Sequence, residues 1–318
     1  MIKEVKKLNK KEKEFIYNNE YSHFNQDIKY NEIRNEKNKH YLISEKNGKL
    51  IWMCNLLEKE KDIGKVIYAP RGPILNFENE KDIETFFDEI HSWMKERGYK
   101  YLEINPCISK NMLNNFPDKL KYKLIDRTDY DNLFDACKLA IVNVEMSEKE
   151  MFYKLSQNCR RNTKKAYNNN LKVKITDKTD LINFYKLYLD TANKHNFKPH
   201  TMNYFKKLIK IYKCDLVFIE VWQNDIPLAM AIDITFKDSL IYFYGASSKN
   251  KKELRGMYML HWEAIKYCIK NKIKKYDLGG VFCEDNDTTN KDFGLYNFKK
   301  GYCKKGFIDI ISDILIEI

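Results

Sequence analysis

Three stretches near the start of the chain, Tyr41–Glu45, Leu50–Leu57 and Lys65–Ala69, are dense in aliphatic and aromatic residues and predict strands. Asn47-Gly48 supplies the turn between the first two. The spacing then lengthens. From about Asp82 to Arg97, the residues Ile83, Phe86, Phe87, Ile90 and Met94 recur at three- and four-residue steps, which predicts an amphipathic helix ended by Gly98. A strand over Tyr99–Ile104 follows. The second half repeats this order. Leu216–Trp222, Pro227–Thr235 and Leu240–Gly245 predict strands, with a turn at Asn224-Asp225. A helix from about Met257 to Asn271 and a strand over Lys275–Leu278 complete the copy. Tyr101 aligns with Tyr276 and Tyr68 with Tyr244, so the chain reads as two tandem βββαβ units. Tyr242 and Tyr244, two residues apart, are expected on one face of their strand.

Between the copies, Ser147-Glu-Lys-Glu150 has capping-box spacing and predicts a helix running through Arg160 and Lys165 towards Asn170. A second helix is expected from about Asp180 to Asn193, and a third is capped by Thr201 and ends near Tyr212. The apolar stretch Phe307–Ile316 alternates poorly and is expected to return to the first domain. A βββαβ unit preceded by helices is the core of the N-acetyltransferase fold. The expected class is therefore α/β (α+β), with two tandem N-acetyltransferase-like (GNAT-like) domains: 1–145 with 306–318, and 146–305.

Composition narrows the partners. The 318 residues carry 57 Lys+Arg against 45 Asp+Glu, a net +12. Such an excess suits polyanions: nucleic acid, nucleotide-linked substrates or an anionic membrane face. An AT-rich genome would give the same lysine-heavy chain. The start is charged, and no window approaches the ~18 apolar residues that span a bilayer, so a cytoplasmic location is expected. Eight scattered cysteines without a C-x-x-C pair are expected to be buried free thiols. Neither they nor the six histidines have metal-ligand spacing, so no metal is expected.

Two stretches carry candidate chemistry. Tyr276-Asp-Leu-Gly-Gly-Val281 is a strand with a glycine turn, and Gly294-Leu-Tyr-Asn-Phe-Lys-Lys-Gly-Tyr302 follows it. That order would bring an ammonium to the mouth of a sheet, although Lys299 and Lys300 are equally eligible by composition. With Tyr68-Ala-Pro-Arg-Gly-Pro-Ile-Leu75, these stretches resemble the Fem family of peptidoglycan-bridge aminoacyltransferases (FemABX), in the short form without a coiled-coil arm. The resemblance covers nearly the whole chain. It implies transfer of glycine, alanine or serine from aminoacyl-tRNA to an amine of the stem peptide of a cell-wall precursor, with no organic cofactor. The acceptor would be the UDP-linked pentapeptide (UDP-MurNAc-pentapeptide) or a lipid-linked precursor met at the inner membrane face, and a monomer is expected. The first domain would bind the precursor, and the second would hold the tRNA end.

By that resemblance, Lys299 stabilises the transition state and Phe298 lies beside it in the tRNA-end pocket. Arg34 matches a phosphate-binding cation. Tyr204 matches the tyrosine of an Arg-x-x-x-Tyr-Phe pattern whose arginine is His200 here, a departure that weakens the contact while the imidazole is neutral. The family's Asp-Pro is Asn105-Pro106 in this chain, and an amide cannot serve as a general base. Glu103, on the same strand face, is a candidate to compensate or a rim carboxylate; the second reading is preferred, so no protein base is assigned. Arg71, between two prolines, is a candidate wall of the precursor groove or a structural turn. Tyr242 and Tyr244 are candidate hydroxyl donors or core residues. Arg160, Arg161, Lys164 and Lys165, and separately Lys249, Lys251, Lys252 and Arg255, are candidates for the tRNA acceptor stem or plain solvated faces. Two rivals remain. A CoA-dependent N-acetyltransferase would need a glycine-rich pyrophosphate turn before a helix, and Gly256 alone stands there. A non-catalytic RNA-binding protein fits the charge but shows no RNA-binding signature.

Overall fold

The computed structural model describes residues 2–109, 112, 123–125, 138–249, 251–281, 288–290, 292–303, 307–309 and 314–317. The chain divides into two compact units, Met1–Cys137 with Asp309–Ile318, and Lys138–Ile308. The first unit contains β1 (Ile2–Glu4), α1 (Lys10–Asn18), α2 (Ile28–Ile33), β2 (Lys39–Lys46), β3 (Lys49–Lys61), β4 (Gly64–Ala69) and α3 (Glu80–Glu96). It continues with β5 (Tyr101–Ile104) and β6 (Lys123–Ile125). The second unit begins with β7 (Lys138–Asn143), α4 (Glu148–Lys154), α5 (Gln157–Asn168), β8 (Lys172–Thr176), α6 (Leu181–His195) and α7 (Met202–Tyr212). It proceeds through β9 (Leu216–Gln223), β10 (Ile226–Phe236), β11 (Ser239–Ser247), α8 (Gly256–Lys270), β12 (Lys275–Val281), α9 (Phe293–Cys303) and β13 (Phe307–Asp309). The final strand, β14 (Ile314–Glu317), belongs to the first unit.

Each unit is built on a seven-stranded sheet, ordered β1-β2-β3-β4-β5-β14-β6 and β13-β7-β12-β11-β10-β9-β8. Read outward from corresponding ends, the two are the same. Antiparallel strands β1 to β4 match β8 to β11, and the parallel pair β4–β5 matches the parallel pair β11–β12. The repeat is therefore longer than βββαβ. A leading strand and two helices precede each copy, and both units have the tandem GNAT-like fold. The parallel registers also correct one alignment. Val66 faces Tyr101 and Leu240 faces Tyr276, so two residues further on Tyr68 corresponds to Tyr242 rather than Tyr244.

The place beyond β5 is filled by β14, and the matching place beyond β12 by β7. The division between units thus falls before Lys138, not at 145/146, because β7 pairs with β12. The apolar tail is split likewise: β13 joins the second sheet, and β14 pairs with β5 and β6. The expected helix from Ser147 to Asn170 is two helices. Leu155 leaves the helical region with ψ 151°, and the Ser156 side chain then caps α5. Each unit has its own core. Trp52, Phe86, Phe87, Ile90 and Leu102 anchor the first, and Leu155, Ile219, Ala231, Leu260 and Tyr276 the second. Burial of such side chains, each worth ~1.5–3 kcal/mol, holds the helices on the sheets. Of the cysteines expected to be buried, Cys54, Cys159 and Cys268 are, Cys107 and Cys303 are half-buried, and Cys214 is exposed. Cys137 and Cys283 lie outside the described residues.

Candidate active site

The second unit brings its key residues to the C-terminal end of β12. Pairing of β12 with β7 shifts register between Asp277 and Gly280, and Gly279 adopts φ +77°, a conformation that strains any side chain. The Asp277 carboxylate accepts the Gly279 N–H at 2.7 Å and fixes the bend. The bend leaves the Gly280 carbonyl to accept a 2.9 Å hydrogen bond from Lys299 Nζ. Lys299 lies on the inner face of α9 and is only 7% exposed, whereas Lys300 is exposed and donates to the Tyr296 hydroxyl. Structure thus separates two lysines that composition leaves equivalent. Burial pulls the Lys299 ammonium down to about 8, opposed by the negative charges of Asp277 and Asp292.

Gly301 lets α9 approach: a Cβ there would stand 3.2 Å from Ser156 Oγ, and the Gly301 carbonyl accepts from the Ser156 N–H at 2.9 Å. Phe298 packs on Tyr258, His261 and Tyr302. It lines a cavity of about 720 Å³ together with Tyr242, Tyr258, Asp292, Lys194 and Arg255. His261 was not singled out by sequence. It is buried among rings, and its Nδ1 lies 2.9 Å from the Tyr276 hydroxyl. Burial, with the nearby Lys299 charge, depresses its imidazole to about 3, so it is neutral. The one signal for it was a histidine on the apolar face of the helix after Met257.

The same cavity receives the start of α8. Arg255 precedes the helix in a left-handed conformation, no side chain among the described residues caps the first turn, and Lys251 and Lys252 also line the space. Arg255 Nε is buried with no hydrogen-bond partner among the described residues. Free N–H groups, the positive helix end and cations are the arrangement that suits an anion. The matching helix of the first unit is closed to anions: the Asn79 side chain caps α3, and Glu80 and Asp82 lie in its first turn.

Tyr242 and Tyr244 do not share a face. The β10–β11 register slips between Ile232 and Asp233, leaving Phe243 as the extra residue. Tyr242 therefore packs on His261 of α8, while Tyr244 packs on Tyr188 of α6 and its hydroxyl lies 2.9 Å from that of Tyr204 of α7. Tyr242 lies across Gly245, where a Cβ would come within 1.4 Å of its hydroxyl oxygen. His200 stacks on Tyr204 at 4.0 Å and meets Tyr244 edge-on. The structure thus joins His200, Tyr204 and Tyr244 in one aromatic group and gives Tyr242 to the cavity.

In the first unit, Arg34 ends α2 and forms an ion pair with Glu36, which holds that carboxyl below its usual range against the opposing effect of burial. Arg71 adopts φ 56° in a loop fixed by two buried amides. Asn105 Oδ1 accepts the Arg71 N–H while its Nδ2 donates to the Tyr68 hydroxyl at 3.0 Å, and Gln26 Nε2 donates to the Pro70 carbonyl at 2.7 Å. Asn105 therefore supplies a donor that the carboxylate of the family pattern lacks. Glu103 is not a rim carboxylate. It is 2% exposed and paired with Lys61, with Lys59 at 3.9 Å, because β5 is an inner strand. Lys59 also covers the Tyr68 ring at 3.2 Å.

On α5, Arg160 donates to the carbonyls of Tyr153 and Leu155, whereas Arg161, Lys164 and Lys165 are exposed. Among the described residues no cluster of potential metal ligands occurs, and no helix is long and apolar enough to cross a membrane.

Comparison with known proteins bears on this arrangement. The chain is 22% identical to the aminoacyltransferase FemA of Staphylococcus aureus (strain MW2), over 94% of this chain and 91% of that one. Among solved structures, FemX superposes with a TM-score of 0.83 at 16% identity, covering 99% of this chain and 97% of FemX. The L-PGS structure from Bacillus licheniformis gives 0.58 at 11% identity, over 96% and 90% of the two chains. The model of the FemAB family matches residues 8–126, 120–221 and 217–308, and the chain belongs to that family.

Proposed function

We propose that this protein is an aminoacyltransferase of cell-wall synthesis, which moves glycine, alanine or serine from aminoacyl-tRNA to an amine of a peptidoglycan precursor. The FemA relative bears the name of an aminoacyltransferase, and FemX shares the fold. The observation that carries the chemistry is the buried ammonium of Lys299 at the glycine bend of β12.

The donor is an ester between an amino acid and the terminal ribose of the RNA. The acceptor amine attacks its carbonyl, a C–N bond forms, and the carbonyl oxygen becomes an oxyanion. Lys299 keeps donors beyond the one given to Gly280, and its positive charge stabilises that oxyanion in surroundings where water is scarce. Collapse breaks the ester C–O bond, and the amine proton reaches the departing ribose oxygen through substrate or water. The uncapped, basic start of α8 suits the phosphates of the RNA end, and Phe298, Tyr242 and Tyr258 offer rings to its bases. His200, Tyr204 and Tyr244, and separately Arg34 and Arg71, are the candidates for the phosphate-bearing acceptor, either UDP-linked or lipid-linked. We assign no metal, organic cofactor or protein base, and we place the protein in the cytoplasm as a monomer.

The test is direct. Incubated with charged tRNA and a precursor pentapeptide, the protein should yield a stem peptide lengthened by one residue. Mass analysis with mixed charged tRNAs then names that residue. Product formed from acetyl-CoA instead would mark an acetyltransferase, and retained tRNA without product would mark a binder. Lys299→Met should lower kcat by about 10²–10³-fold while precursor binding persists; normal turnover in that variant removes Lys299 from the mechanism.

A further inference from the structure

We infer that the first two turns of α5 hold the phosphates of the base-paired acceptor stem of the donor RNA, beside the cavity that takes its single-stranded end. This rests on the reading of the donor as an aminoacyl-RNA.

A second depression, of about 460 Å³, is lined by Gln157, Asn158, Arg160, Arg161 and Lys164, without a carboxylate. The cations are not equivalent. Arg160 is a positioning residue, since its guanidinium closes the α4–α5 turn on two backbone carbonyls. Arg161 donates only to Asn158 Oδ1, at 3.0 Å, and Lys164 has the Phe152 ring at 5.9 Å; neither has a carboxylate partner among the described residues. Both charges are exposed.

Tyr258 joins this depression to the larger cavity. Its ring lines the cavity, and the side chains of Asn158 and Asn162 on α5 stand beside its hydroxyl. A ribose-phosphate chain leaving the cavity past Arg255 therefore meets Tyr258, then Asn158, then Arg161 and Lys164. The change in lining matches a change in ligand. The cavity offers rings, which suit unstacked bases. The α5 depression offers cations and amides, which suit the phosphates and 2′-hydroxyls of an A-form duplex. Its lining includes no large apolar side chain to enter a lipid interface.

The test uses the full chain and two RNA probes: a hairpin ending in a short 3′ single-stranded overhang, and the overhang alone. In the unaltered chain the hairpin should bind about tenfold more tightly or better. In Arg161→Glu/Lys164→Glu that advantage should vanish, and the slope of log affinity against log salt for the hairpin should fall by about two. Arg161→Gln/Lys164→Gln should reproduce the loss with less perturbation, and an unchanged circular dichroism spectrum and melting midpoint exclude misfolding. A hairpin advantage that survives either double variant overturns the inference. An overhang that binds with no gain from the stem overturns it and leaves the donor reading intact. Failure of both probes to bind the unaltered chain overturns both. Loss of binding to anionic phospholipid vesicles with the hairpin advantage kept makes the patch a membrane face and refutes the RNA stem.

Discussion

A lysine whose ammonium has been stripped of water is costly to fold around. The fall of Lys299 from 10.5 to about 8 corresponds to roughly 3 kcal/mol of destabilisation at neutral pH. The sign follows from the direction. The folded state binds this proton less tightly than the unfolded state, so the penalty is full below about 8 and disappears as pH rises towards 10.5. Lys299→Met should therefore be more stable than the parent at pH 7 while being nearly inactive, as urea unfolding and transfer rates will record. Turnover should also fall as pH rises through about 8, because the charge that meets the oxyanion is then lost; a rate that keeps rising well past that point contradicts a charged role. At His200, arginine would keep the stack on Tyr204 and add a permanent charge. His200→Arg should tighten binding of the UDP-linked precursor roughly tenfold by calorimetry, and unchanged affinity would separate this position from the phosphates. The resemblance to the Fem family pointed to Phe298 and Lys299, where composition alone left Lys300 equally eligible. Sequence was silent on His261 and Tyr258, because a polar group on a buried helix face acquires its surroundings only from the tertiary fold.

Elements were easier to read than their irregularities. The strands β2 to β4 and β9 to β11, and helices α3, α7 and α8, follow from periodicity, since each has one apolar face and a recognisable turn or cap. Slips in register went unread, and those at Phe243 and at the glycines of β12 shape the site. A slip leaves composition unchanged but reverses the face of every later residue, so alternation placed Tyr242 beside Tyr244 when they are opposed. The break at Leu155 was hidden in the same way, because both halves are good helix sequence. Gly245 is where the first slip can be probed. Gly245→Ala would force Tyr242 aside, lowering both stability and affinity for the RNA end. Adding Tyr242→Ala should recover part of the lost stability, and a double-mutant cycle by thermal unfolding measures the coupling. Additive effects would mean that the tyrosine does not need the space above the glycine.

Across the whole molecule, the duplication and the return of the C-terminal stretch to the first unit were legible, and the exact neighbours of β14 and β7 were not. Short-range pattern cannot say that β14 enters between β5 and β6, while the strand beside β12 is the one that opens the second unit. The two copies have since diverged in charge at equivalent helices, one capped and acidic at α3, the other open and basic at α8. Net charge alone suggested a polyanionic partner; the helix start that suits an anion lies in the second copy. The inserted strand β14 is paired on both sides, and Ile316 is wholly buried. Ile316→Ala should cost about 3 kcal/mol, with hydrogen-exchange protection lost in β5 and kept in β12. Equal loss in both strands would mean that the units unfold together.

The placement of β14 also bears on how the polypeptide is made. During translation the earlier-synthesised sheet must wait, with a gap between β5 and β6, until every residue of the second unit has left the ribosome. The half that emerges first is completed last. A nascent chain stalled short of residue 314 would expose that open slot to any passing strand, which makes the emergence of β14 the step on which safe folding depends.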